Sequence, residues 1–192
     1  MATALDAPDA EHSPVHSLTR AAKEIGLIVR MLKPLLEMTI PDTRWRHFGC
    51  GDGFQSMNLE THYTDIKGLA LAGSAPADVN TVWDRTRNTY LLGWYCYDLV
   101  SVAVSQALMA LELAGKIRLG LSANAHDGLY RIIESLVSRG VLKECYRPPV
   151  TLAKTAAEIR NHWQHGTADF ADPNLAQTAM RFCKDLIDAM YP

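Results

Sequence analysis

The stretch Tyr90–Gly120, YLLGWYCYDLVSVAVSQALMALELAGKIRLG, decides the fold of this 192-residue chain. Asp98, Ser105 and Glu112 stand seven residues apart and so share one helix face, while almost everything else after Leu99 is apolar. A helix that is apolar nearly all round is either a core helix or a membrane span. Asp98, Gln106 and Glu112 interrupt the run, which favours a helix buried at the centre of a bundle. The helical pattern reaches back to about Ala77, with a break expected near Gly93, and Gly120 closes it.

Further helices are expected on both sides of this segment. Downstream, Leu129, Ile132, Ile133, Leu136 and Val137 form a compact stripe that stops at Gly140. Leu152, Ala156, Ile159 and Trp163 form another, after a loop at Tyr146–Pro149. Asp172-Pro173 is an N-cap and first-turn pair for a last helix carrying Leu175, Ala179, Phe182, Leu186 and Ala189. Upstream, Leu18, Ala22, Ile25, Val29, Leu32 and Leu36 predict a first helix ending near Met38, with Pro34 marking a kink or an early stop. Residues 40–77 show neither helical nor strand periodicity and read as a long irregular connection with room for one short helix. No segment alternates with period two. The expectation is an all-α fold, a helical bundle of about five helices with a long connection after the first.

Length and composition fit one domain, here residues 16–192, behind a flexible tail at 1–15 that is rich in Ala, Pro and acidic residues. Hydrophobic residues make up 48%, and the net charge of -2 excludes a globally basic polyanion binder, so any nucleic-acid contact must be local. Eight basic residues face five acidic ones between Glu112 and His165, which makes that half the more basic. Cys50, Cys96, Cys145 and Cys183 lack the spacing of a zinc or disulfide framework and read as reduced thiols of a cytoplasmic protein. The opening residues carry Asp6, Asp9 and Glu11 and do not read as a signal peptide. Gly49–Gly53 lacks the Gly-Lys-Ser/Thr ending of a phosphate-binding loop. Trp45, beside Arg46 and His47, could stack a base, but anchoring the loop to the bundle is the simpler reading.

The chemistry-bearing run is Arg160-Asn161-His162-Trp163-Gln164-His165. Its helix, from Val150 to about His165, carries a second stripe of Lys154, Glu158, Asn161 and His165 about 200° round the axis from the apolar one. Arg160 falls between the two stripes. The C-terminus of a helix favours cations, and a histidine that titrates near neutrality moves protons. A fixed guanidinium holds a phosphate by two hydrogen bonds. Metal-free RNA cleavage needs both abilities: a base for the 2′-OH and a cation for the charge that builds on phosphorus. His162 and His165, with His47 or His126, give no third metal ligand at a readable spacing, and no metal or other cofactor is expected.

Here the chain resembles the HEPN superfamily, all-α domains with an Arg-x4–6-His signature that Arg160 and His165 meet in its four-residue form. Asn161 fits the Asn frequent after that arginine, and Ala110-Leu111-Glu112 before Lys116 fits the long helix of such proteins. The likeness covers about residues 90–190. It implies a metal-independent endoribonuclease in a toxin or defence setting, working as a homodimer, with RNA as substrate and an antitoxin or other protein as a further partner. Arg160 and His165 would then be catalytic, Asn161 and Glu112 supporting, and His162 and Lys154 substrate contacts. The alternative is a non-catalytic HEPN-like helical module that binds RNA or protein. Thr167 stands where one toxin subgroup has tyrosine, so that subgroup is not indicated.

Overall fold

The computed structural model describes residues 33–47, 49–50, 55–122, 124–146, 149–164 and 172–192. The chain divides into two units, Met1–Met38 and Thr39–Pro192. In the first unit the description begins at Lys33, so most of the expected first helix lies outside it. Between Lys33 and Met38 the described residues form no α-helix. Pro34 is extended (φ -58°, ψ 145°) and only a three-residue 3-10 turn, Leu35–Glu37, follows. Proline has no N–H to continue a helical ladder, which fits the absence of an α-helix through these residues.

The second unit is all-α. Its helices are α1 (Leu59–Lys67), α2 (Ala77–Leu92), α3 (Leu99–Leu119), α4 (Leu129–Ser138), α5 (Leu152–Gln164) and α6 (Pro173–Met190). α3 is the central element and packs against α2, α4, α5 and α6. Ala103, Val104, Ala107, Leu111 and Ala114 on it are fully buried. By length and composition α3 could cross a membrane, but more than half of its most apolar stretch is covered by its neighbours. Small residues set the approach distances. A Cβ on Gly115 would collide with Ile132 Cγ2 of α4, so these two helices meet at backbone range only because that position is glycine.

The expected punctuation is in place. α2 and α3 are separate helices, divided after Leu92 by Gly93–Asp98. Gly120 ends α3 in the left-handed conformation (φ 71°), and its successor Leu121 donates to Lys116 O at 2.9 Å. Asp172 caps α6 by accepting from Asn174 N at 2.8 Å. Tyr191 fixes the other end of α6 by donating from its hydroxyl to Ala114 O at 2.8 Å.

Residues 40–77 form the long connection, and the one short helix it left room for is there. They hold a 3-10 segment (Thr43–His47), a two-residue antiparallel pairing and α1. The pairing joins β1 (Gly49–Cys50) to β2 (Gln55–Ser56) in the register Gly49↔Ser56 and Cys50↔Gln55. Asn58 caps α1 by accepting from Thr61 N at 2.8 Å. The helix escapes a hydropathy reading because its inward face is His62, Ile66 and then Leu69, with a histidine where an aliphatic residue would have revealed the period.

This segment is clasped onto the joint between α2 and α3. Trp45 is 1% exposed and donates from Nε1 to Gly93 O at 2.8 Å. Arg44 grips Asp42 with two side-chain nitrogens at 2.8 and 2.9 Å and reaches Asp98 at 2.7 Å, with its guanidinium 4.7 Å from the centre of the Tyr97 ring. Burial opposes the charge on Asp42, but hydrogen bonds from Arg44 and from Tyr97 N outweigh it and hold the carboxyl below its ordinary pKa.

Candidate functional site

The helix that carries the motif is built from both ends. At its start, the Glu144 carboxylate accepts from Leu152 N at 3.0 and 3.2 Å and from Tyr146 N at 3.0 Å. Thr151 Oγ1 accepts from Lys154 N at 3.2 Å. These acceptors satisfy amides that the first turn leaves open, and the carboxylate lies at the positive end of the helix dipole. Leu152, Ala153 and Ala156 are buried, and Ile159 and Trp163 are half-buried against the same core. α5 is therefore anchored at its start and emerges towards solvent at its end.

At that end Arg160 is half-buried while Asn161, His162 and Gln164 are exposed. The Nε of Arg160 is shielded from solvent and has no hydrogen-bond partner among the described residues. The His162 ring meets Trp163 edge-on, with centroids 5.5 Å apart and planes at 86°. His165, the other half of the expected pair, lies outside the described residues.

The remaining expected site residues are engaged elsewhere. Lys154 lies in the first turn of α5, 3.9 Å from Glu158, and both are exposed. Six residues separate it from Arg160, which is about 9 Å along the axis. Glu112 on α3 is 2.9 Å from Lys116 Nζ, one turn further along the same helix. Its ionic partner is therefore that lysine and not Arg160. The structure brings Arg160, Asn161 and His162 together at one helix end, while Lys154 stands six residues earlier on that helix and Glu112 is paired with Lys116.

Among the described residues, no three His, Cys, Asp or Glu side chains gather as a metal site. Cys96 is half-buried, Cys145 exposed and Cys183 buried, and all three are free thiols. Burial pushes the Cys183 thiol well above the ordinary cysteine pKa, so it is inert.

One buried histidine escaped the sequence reading. His62 is 1% exposed, its Nε2 donates to Tyr90 O at 3.1 Å, and its ring lies 4.7 Å from Trp45, 5.2 Å from Tyr90 and 5.7 Å from Trp94. Only the cap signal at Asn58 could have placed it on a helix. No protein-family model matches this chain, and neither does any curated protein or solved structure.

Proposed function

We propose that this chain is a HEPN-like, metal-independent endoribonuclease that acts in the cytoplasm as a homodimer, with Arg160 and His165 as its working pair. The observation that carries the reading is the Nε of Arg160, held out of solvent with no partner among the described residues, beside exposed Asn161 and His162. Buried nitrogens nearly always have partners, and leaving one without costs about 1–3 kcal/mol. An arginine with that nitrogen unmet, at a helix end, suits an anion that arrives with the substrate.

The reaction fits those groups. His165 removes the proton from a ribose 2′-OH, and the resulting oxygen attacks the adjacent phosphorus. Arg160 stabilises the charge gathering on the non-bridging oxygens. The P–O5′ bond breaks, the leaving 5′-oxygen takes a proton from an acid, and a 2′,3′-cyclic phosphate remains. Asn161 orients the pair and His162 touches substrate. A toxin or defence role, with an antitoxin as partner, belongs to the same reading.

The test is cleavage of mixed RNA in EDTA by wild type, Arg160→Ala and His165→Ala. Cyclic-phosphate products from wild type alone support the proposal. Equal cleavage by all three, or no cleavage by wild type, overturns it. RNA binding without cleavage would leave the alternative, a non-catalytic helical module.

A further inference from the structure

A cleft of about 120 Å³ lies where the end of α3 and the following loop meet α4, lined by Leu119, Leu121, Asp127, Arg131, Ser135 and Arg139. Arg131 and Ser135 lie four residues apart on one face of α4, and Arg139, four residues further, is the residue that caps its end. Each arginine stands about 6 Å along the axis from Ser135, one to either side, within reach of a guanidinium on its flexible stem. Both guanidinium groups can therefore converge on a group seated over Ser135. Neither arginine has an ion pair or side-chain hydrogen bond among the described residues, whereas Arg44 and Arg87 both do.

We infer that this cleft seats a phosphodiester of a single-stranded nucleic-acid backbone between Arg131 and Arg139. Its volume of about 120 Å³ has room for a group of several heavy atoms. Arginine matches phosphate through paired N–H donors, and the Ser135 hydroxyl adds another donor. Asp127 decides between kinds of phosphate. Two guanidinium groups and one carboxylate leave a single net positive charge, which balances the one negative charge of a diester. A dianionic monoester or free phosphate would meet Asp127 with a surplus negative charge. Leu119 and Leu121 offer an apolar wall to the adjoining sugar and base. None of these residues belongs to the α5 cluster, so the cleft is a binding site independent of any chemistry there.

The experiment is fluorescence anisotropy with a labelled oligothymidylate, which has no 2′-hydroxyl, so binding is read apart from any cleavage. Wild type should bind saturably. The double variant Arg131→Ala/Arg139→Ala should bind about tenfold or more weakly, as expected for losing charged hydrogen bonds. Its salt dependence should fall by about 0.7 in log–log slope for the one phosphate released. Arg131→Lys/Arg139→Lys should recover part of the affinity, because charge returns without the paired donors. Both arginines are exposed, and circular dichroism checks that the variants keep their helices. Equal affinity and slope in wild type and the alanine variant would overturn the inference. So would failure of wild type to bind, or displacement by thymidine 5′-monophosphate or inorganic phosphate at the concentration at which the oligomer itself competes.

Discussion

His62 and Arg160 both set a nitrogen-rich side chain on a helix beside a tryptophan, and the protein treats them in opposite ways. Around His62 every demand is met. Its Nε2–H has the Tyr90 carbonyl, three aromatic rings close over it, and Trp45 is itself tied to Gly93. At the end of α5, Arg160 Nε is kept from water with no partner among the described residues, and its neighbours Asn161 and His162 face solvent. Structural polar groups are buried with their partners, because an unmet one costs more than a met one gains. Burial alone does not separate the two kinds of site; satisfaction does.

The contrast is broken most forcefully at Trp45. Replacing this fully buried ring by alanine removes the Nε1 bond to Gly93 O and the packing over His62, Trp94 and Tyr97. Large-to-small changes at such sites cost about 3–5 kcal/mol. Denaturant unfolding of Trp45→Ala should show a loss of that order. A loss under about 1 kcal/mol would mean the clasp on the α2–α3 joint is ornamental. At Arg160 the expected effect appears in the chemistry. Loss of a charge-stabilising donor lowers turnover by about a hundred- to a thousandfold, so Arg160→Ala should remove cleavage of RNA while the unfolding midpoint holds.

A smaller effect separates the sites by pH. Burial is the largest influence on His62 and holds its pKa below the ordinary 6.5, although bonds to backbone carbonyls and the charge of Asp65 act the other way. With the folded pKa depressed, the unfolded chain takes up the proton first. The stability that neutral His62 contributes is therefore whole above about pH 6.5 and is lost as pH falls below it, down to the folded pKa. One proton limits the slope to about 1.4 kcal/mol per pH unit. Unfolding free energies between pH 7 and 5 should fall for wild type and stay flatter for His62→Gln. Parallel curves for the two proteins would show that His62 does not govern the acid response.

What could be read from the sequence divides along similar lines. Gly120, Gly140 and the Asp172-Pro173 pair were legible as punctuation, because each owes its role to backbone geometry within a few residues. The stripe Leu152, Ala156, Ile159 and Trp163 was legible because aliphatic and aromatic residues keep the helical period visible. α1 was not, since its inward face opens with His62, and only the packing of Trp45, Tyr90 and Trp94 makes a histidine behave as core. The partner of Asp98 was equally out of reach. Arg44 lies 54 residues from Asp98 in the chain, a separation that no local pattern bridges. Glu112 pairs within its own helix, with Lys116 one turn on. At the motif, twelve arginines and seven histidines make one Arg-x4–6-His coincidence unsurprising. The weight of Arg160 comes from its place at the open end of an anchored helix.

The smallest expected effect tests that weight most directly. Arg160→Met keeps an unbranched apolar stem against the core and removes the nitrogens. If Nε is an orphan, the variant loses no internal bond and is relieved of a desolvated donor, while methionine keeps much of the stem packing. The two contributions oppose one another, so the unfolding free energy should stay within about 0.5 kcal/mol of wild type, the range of an ordinary surface change. Asp42→Ala is the control from the satisfied side. It removes the Asp42 bonds of Arg44, which keeps Asp98, and the bond from the Tyr97 amide, and should cost about 1–3 kcal/mol. Should Arg160→Met cost as much as Asp42→Ala, the guanidinium would have a structural partner after all. The end of α5 would then be the same kind of place as the shell around His62, and the proposed chemistry would lose the observation on which it stands.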